Sequence, residues 1–311
     1  MKSPLRIVFM GSPDFAVASL DRLVTDNLNV VAVVTGPDKR RGRGNDLSPT
    51  RVKIAANSHN IPVIEVDDLK SDVFEHQLRT VNPDLFVVVA FRVLPKNILQ
   101  IPRLGSVNLH ASLLPQYRGA APIHRAVMNG DTTTGATVFF LDERVDTGNF
   151  IKQRSISIGE NETTGELYSR LMHMGAELLS ESVALIQEGN VQVHPQNHEL
   201  ATSAPKLFSS DCKIDFSKPS SQVHNQIRGL SPFPTAFTFV DGKRLKVFES
   251  LVGPQLKLSE SKIHLIDDRL LVQCGGDSTV ELVNVQMEGK KATSGESFFH
   301  GYHGEGLISE K

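Results

Sequence analysis

The chain has 311 residues, enough for two domains, and its 40% hydrophobic and 22% charged residues suit a packed globular protein. No apolar run reaches the roughly 20 residues a membrane helix needs, and the opening MKSPLRIVFMGSPDF has too short an apolar stretch for a signal peptide. The two cysteines, Cys212 and Cys274, match no zinc or redox spacing, which suits a cytoplasmic protein, and a formal net charge of −2 announces no nucleic-acid partner.

In chain order, LRIVFM (5–10) reads as a buried strand. A turn and a helix over FAVASLDRLVTD follow, with Ser12 as the expected N-cap and Pro13 at the first helical position. NVVAVVT (29–35) and PDLFVVVAF (83–91) are further continuous apolar strands, with helices expected near 53–59 and 72–81 and a short strand at 61–63. Strands are expected at 105–109 and 135–141, and a long amphipathic helix over 164–188. Continuous apolar runs alternating with helices predict a mostly parallel, Rossmann-like α/β sheet covered on both faces.

The texture changes after position 189. Residues 190–207 read as a polar linker, which divides the chain into a catalytic domain (1–189) and a C-terminal domain (208–311). In the latter, FTFV, RLKVFESLV, KIHLID, RLLVQC and TVELVNVQM are short strands separated by Gly and Asp-Gly turns, the pattern of a small β-barrel. The first strand–turn–helix lacks a dinucleotide fingerprint, because Gly11 is followed by Ser12-Pro13-Asp14 where a second glycine would admit a pyrophosphate.

The informative segment is GSVNLHASLLPQYRGAAPIHR (105–125). Asn108 and His110 lie two apart on a predicted strand and so share a face at its carboxyl end, where open α/β sheets place ligands. A lone histidine on a strand is more often a satisfied core residue; the adjacent amide and a later acid change that balance. In LDERVDTGNF (141–150), Asp142 and Glu143 read as a solvated turn, whereas Asp146 precedes a sharp Thr147-Gly148 turn and would reach His110. An amide, an imidazole and a carboxylate suit acyl transfer without a covalent nucleophile. Asn108 would donate to a tetrahedral oxyanion, His110 would stabilise it or donate a proton, and Asp146 would hold the ring and relay the amine proton.

Together, Asn108-x-His110, Ser112-Leu113-Leu114-Pro115, Arg118-Gly119 and Asp146-Thr147-Gly148 resemble the signature of the 10-formyltetrahydrofolate-dependent formyltransferases. The strings FMGSPDFAVASL, GPDKRRGRGNDLSPTRVK and SLLPQYRGAAPIHRAVMNGD resemble the branch acting on methionine of initiator tRNA more than the branch acting on glycinamide ribonucleotide. The resemblance implies a Rossmann-like catalytic domain and a small OB-like barrel, with Asn108, His110 and Asp146 as the catalytic set. It implies 10-formyltetrahydrofolate as co-substrate, with Ser112, Leu113, Leu114 and Pro115 lining its site and Ala90, Phe91 and Leu94 on the pterin side. Asp142 is counted with these folate-side residues, and no metal is expected. One departure is Ala90-Phe91-Arg92, where the family often reads Ala-Tyr-Gly.

Segment 36–53 carries Lys39, Arg40, Arg41, Arg43, Arg51 and Lys53, with glycines between the charges, and reads as a mobile basic loop. In isolation it is a solvated loop; the resemblance gives it phosphate contacts with initiator methionyl-tRNA, Arg43 matching an arginine that helps recognise the acceptor end. In the C-terminal domain Lys243, Lys246 and Lys290 are the candidate tRNA contacts. A monomer acting in translation initiation, away from membranes, is the resulting expectation. The alternatives are a formyltransferase for a small amine such as an amino sugar nucleotide, and a non-enzymatic RNA-binding protein on the same scaffold.

Overall fold

In the computed structural model, residues 4–41, 46–259 and 261–309 are described. The chain packs as two compact units that interleave in sequence. The first comprises 1–119, 135–156 and 169–203, and the second 120–134, 157–168 and 204–311. Among the described residues no helix is long and apolar enough to cross a membrane.

The first unit is built on a seven-stranded sheet. Its spatial order is Phe150–Ser157, Thr133–Phe140, Ser106–His110, Leu85–Val89, Ile7–Gly11, Val30–Thr35 and Val63–Glu65. The strands from Ser106–His110 to Val63–Glu65 run parallel, and Thr133–Phe140 joins antiparallel. This is the Rossmann-like arrangement expected from the continuous apolar runs. Ile7, Val8, Phe9, Met10, Leu85, Phe86, Val87 and Val89 are all under 5% exposed, so both faces of the sheet centre are covered. On one face Val8, Met10, Val34, Phe86 and Val88 pack with Phe74 and Leu78 of the helix Asp72–Val81. On the other, the long helix Thr164–Glu188 approaches closely: a Cβ at Gly175 would stand 3.0 Å from Leu109 Cδ2.

Local details differ from the sequence expectation at the first helix. It runs Asp14–Thr25 with Pro13 as its N-cap residue, not Ser12. The Ser12 hydroxyl instead meets Thr35 Oγ1 at 3.4 Å, and Thr35 Oγ1 meets Thr50 Oγ1 at 2.8 Å, because a hydroxyl facing a neighbouring strand end finds partners there. The described parts of the basic segment are not all loop. Lys39–Arg41 pairs antiparallel with Asp46–Ser48, and the helix Arg51–Ser58 carries Arg51 and Lys53. The strand Phe150–Ser157 and the helices Pro122–Asn129 and Ser220–Leu230 are not among the expected elements; the strand mixes polar and apolar residues without alternation, whereas both helices bury residues at helical spacing, Ile123, Ala126 and Val127 in one and Val223, Ile227 and Leu230 in the other.

In the second unit, Ile263–Ile266, Arg269–Cys274, Ser278–Met287, Lys243–Val252, Ala236–Val240 and Ile308–Ser309 form a curled antiparallel sheet, the OB-like half-barrel. The register shifts around Glu249, a bulge that bends the long strand and lets the sheet curl. Val223, Ile227 and Leu230 fill its core beside Leu245, Val247, Val272 and Val285. Helix Pro122–Asn129 lies against Ser220–Leu230, where a Cβ on Gly229 would stand 2.4 Å from Met128 Cγ. That close fit seats a helix from early in the sequence on a helix of the C-terminal segment.

Candidate active site

Asn108 and His110 stand at the carboxyl end of Ser106–His110, on one face of the strand. His110 is 6% exposed and Asp146 8%, and His110 Nδ1 lies 3.8 Å from Asp146 Oδ2. The other ring nitrogen, Nε2, meets the main-chain carbonyl of Tyr117 at 2.8 Å. A carbonyl only accepts, so Nε2 carries the hydrogen, and in the neutral ring Nδ1 keeps its lone pair toward Asp146. The Asp146 carboxylate accepts the Gly119 N–H through Oδ2 at 2.8 Å. Asn108 is half-buried, and among the described residues no hydrogen bond reaches its side-chain amide. An amide with that freedom can donate to a substrate oxygen.

The loops around this point are held in uncommon backbone conformations. Ala90, Tyr117 and Asp146 have φ values of 47°, 58° and 55°, in the left-handed region that a non-glycine residue enters only where its surroundings enforce it. At the Asp146 turn the enforcement is visible. A Cβ on Gly148 would stand 1.8 Å from the carbonyl oxygen of Phe140, so only glycine allows the strand ends to come this close. The Gln196 side chain, 5% exposed, spans the turn from its other side. Its Nε2 donates to the carbonyls of Asp146 at 3.0 Å and Gly148 at 2.7 Å. Gln196 and Tyr117 left no signal in the sequence, because their contributions are a side chain distant in sequence and a main-chain carbonyl.

The expected folate-side residues divide between packing and exposure. Ser112 and Leu114 are buried. The Ser112 hydroxyl donates to the Gln116 carbonyl at 2.6 Å, and the loop is pinned by Thr137, whose hydroxyl donates to the Ser112 carbonyl at 2.6 Å and accepts the Leu114 N–H at 3.0 Å. Leu113 and Pro115 are half-buried, and Leu113 packs against Gly135. Ala90 is exposed and Phe91 half-buried, while Leu94 is buried in the core. Arg92, where the chain departs from the family text, is tied to the carbonyls of Val66 and Asp67, its guanidinium carbon 5.2 Å from the Phe91 ring centre. Asp142 accepts the Arg144 N–H at 2.9 Å and the Thr147 hydroxyl at 2.8 Å, and with Glu143, Arg144, Thr147 and His198 it lines a cleft of about 350 Å³.

Among the expected tRNA contacts, Arg40 is exposed on the Lys39–Arg41 strand; Arg43 and the side chain of Arg41 lie outside the described residues. Lys53 is engaged elsewhere, its ammonium 2.9 Å from Asp38 and 2.8 Å from Glu65. The second unit brings its own cations together. Lys246 pairs with Gln286, whose Nε2 donates to the Lys290 carbonyl at 2.9 Å, and Lys243 is exposed at the start of the same strand. Between them the Arg244 guanidinium carbon lies 3.5 Å from the Phe237 ring centre.

An amide without a hydrogen bond among the described residues, and an imidazole beside a buried carboxylate, can stabilise an oxyanion and move protons between two nitrogens. Comparison with known proteins agrees with this chemistry. The formyl transferase family model matches residues 5–183, and the model of the formyl transferase C-terminal domain matches 206–303. Methionyl-tRNA formyltransferases of Chlorobium phaeovibrioides and Chlorobium luteolum are 42% and 44% identical to this chain; each alignment covers 97% of this chain, and 97% and 98% of the respective relative. The N-formyltransferase of Helicobacter canadensis, solved with folinic acid and dTDP-3-aminofucose, shares the fold at a TM-score of 0.69 and 20% identity, over 91% of this chain and 99% of its own. The chain is an enzyme of the formyl transferase family, to which it belongs over both of its domains.

Proposed function

We propose that this chain transfers the formyl group of 10-formyltetrahydrofolate to the α-amino group of the methionine carried by initiator tRNA, in translation initiation. What supports this reading is His110 Nδ1 lying 3.8 Å from Asp146 Oδ2, with Asn108 two residues before His110 on the same strand face, in a chain 42–44% identical to methionyl-tRNA formyltransferases. The residues present suit a formyl-folate. The Asn108 amide lacks a protein partner among the described residues and is free to meet the formyl oxygen.

In this reading Asn108 donates its amide N–H to the formyl oxygen as negative charge collects there. The amine nitrogen uses its lone pair to bond the formyl carbon, and the carbonyl π pair moves onto the oxygen. Asp146 and His110 Nδ1 take the proton the amine sheds. The protonated His110 then returns a proton to the departing folate nitrogen as its bond to the formyl carbon breaks, so the residues end unchanged. Tyr117 fixes the ring through Nε2 and leaves Nδ1 for this traffic. Ser112 to Pro115, Ala90, Phe91, Leu94 and Asp142 form the folate side; Arg40, Arg41, Arg43, Lys243, Lys246 and Lys290 meet the tRNA. The enzyme works as a cytoplasmic monomer without a metal.

The test supplies 10-formyltetrahydrofolate with charged initiator tRNA in one arm and a dTDP-amino sugar in the other. Formyl-methionyl-tRNA, read as formyl-methionine after its ester is hydrolysed in base, is the expected product. Formylation of the amino sugar with none on the tRNA would overturn the assignment.

A further inference from the structure

We propose that Gln196 is a positioning residue that sets the separation of His110 and Asp146, acting through Arg118. The inference rests on the catalytic reading of those two residues and deepens it. Gln196 lies far along the chain from both, yet its side chain is 5% exposed and every polar atom of it is engaged. Its Nε2 holds the carbonyls of Asp146 and Gly148, the two ends of the turn that presents the carboxylate. Its Oε1 accepts from Arg118 Nη2 at 2.6 Å and Nε at 3.2 Å. The same Arg118 Nη2 also donates to His198 Nδ1 at 2.8 Å.

Arg118 sits between the two residues that fix the catalytic pair. Tyr117 supplies the carbonyl that orients His110, and Gly119 supplies the N–H that holds the Asp146 carboxylate. Gln196 therefore grips both banks of the site at once, the Tyr117–Gly119 segment through the guanidinium and the Asp146–Gly148 turn through the two carbonyls. Asp146 is held at a φ of 55°, a conformation that persists only where its surroundings enforce it, and the Gln196 hydrogen bonds add to the close approach of Gly148 and Phe140. Freed, the carboxylate would move relative to a ring that the Tyr117 carbonyl still pins. A displacement of about 1 Å between reacting groups can cost on the order of 100-fold in rate.

The residue touches neither substrate in this arrangement, so its removal should lower kcat and leave both KM values near wild type. The experiment measures steady-state formylation of charged initiator tRNA by 10-formyltetrahydrofolate in the full-length protein. Gln196→Met keeps the length of the side chain and removes all four hydrogen bonds. Gln196→Glu keeps the acceptor for Arg118 and sets a carboxylate against the two carbonyls. Each should lose on the order of 10-fold or more in kcat, with KM for both substrates within about two-fold. In an Asp146→Asn background, adding Gln196→Met should change kcat less than about two-fold, since groups that act as one unit do not add.

Equal fractional losses in both backgrounds, a change confined to KM, or normal turnover by both Gln196 variants would overturn the positioning role while leaving the catalytic reading intact. Normal turnover by Asp146→Asn alone would remove the catalytic reading and the positioning role with it. A Gln196→Met protein that fails to fold shifts the decision to Gln196→Glu, judged by the same split between kcat and KM.

Discussion

The imidazole of His110 is anchored by the main-chain carbonyl of Tyr117, 2.8 Å from Nε2, and this hydrogen bond turns its other nitrogen toward Asp146. The nitrogen left facing Asp146 is thereby chosen by a backbone atom seven residues downstream. Asn108→Ala, His110→Ala and Asp146→Ala should each reduce turnover by about 100- to 1,000-fold, the usual cost of losing one oxyanion donor or proton-transfer group. Circular dichroism should report an intact fold in all three. Near wild-type turnover in the Asn108 or His110 variant would reject the mechanism.

Thr137 links the same strand pair to the 112–115 loop, the proposed folate side. It lies opposite His110 in the ladder, and its hydroxyl bonds Ser112, Leu114 and Gln153 at once. Thr137→Val keeps the shape and deletes all three bonds, leaving the Leu114 N–H buried without a partner. The expected cost is about 1–3 kcal/mol of stability, measured by denaturant unfolding. The KM for 10-formyltetrahydrofolate should rise more than that for charged tRNA, because the Ser112 to Pro115 loop is loosened. An unchanged folate KM would mean the loop has no part in folate binding.

His224 in the second unit gives a pH dependence whose sign is set by burial. Its Nε2 lies 3.3 Å from the Glu160 carbonyl and its Nδ1 3.0 Å from Ser250 Oγ; burial, the largest influence, pushes its pKa below the usual 6.5. His124 is shifted the same way, again chiefly by burial. Below pH 6.5 the unfolded chain takes up protons that the folded histidines refuse. The stabilisation is therefore present above pH 6.5 and lost as pH falls toward the lower folded pKa, with a slope of at most about 1.4 kcal/mol per pH unit for each proton. His224→Gln should flatten the decline of unfolding midpoints between pH 7.5 and pH 5. A slope identical to wild type would assign the acid sensitivity elsewhere.

Salt should separate the two substrates. Replacing Lys243, Lys246 or Lys290 by Ala should raise the KM for charged tRNA and reduce the salt slope of tRNA binding by about 1 for each phosphate left without its cation. Replacing Arg40 or Arg43 should act in the same direction, with folate affinity nearly unchanged. Titrating salt between two concentrations for each variant checks this. If formylation and slope match wild type throughout, the tRNA is bound by other residues.

What could be read from the residues alone was whatever depends on neighbours in sequence. The buried runs 5–10, 29–35 and 83–91 specify a parallel sheet because strands covered on both faces must be apolar at every position. The two-residue spacing of Asn108 and His110 puts them on one face because strand side chains alternate. The short strands after position 235 likewise announce a barrel through their turns. Only the tertiary structure decided where helix 122–129 packs, since that depends on the fit of Met128 to Gly229 a hundred residues away. It alone decided that Lys53 is bound to Asp38 and Glu65, and that the basic segment pairs as strands. The same holds for the grip on the site. Tyr117 acts through a carbonyl that any residue possesses, and Gln196 through an amide that becomes meaningful only beside Asp146, Gly148 and Arg118, so neither leaves a mark on the local pattern.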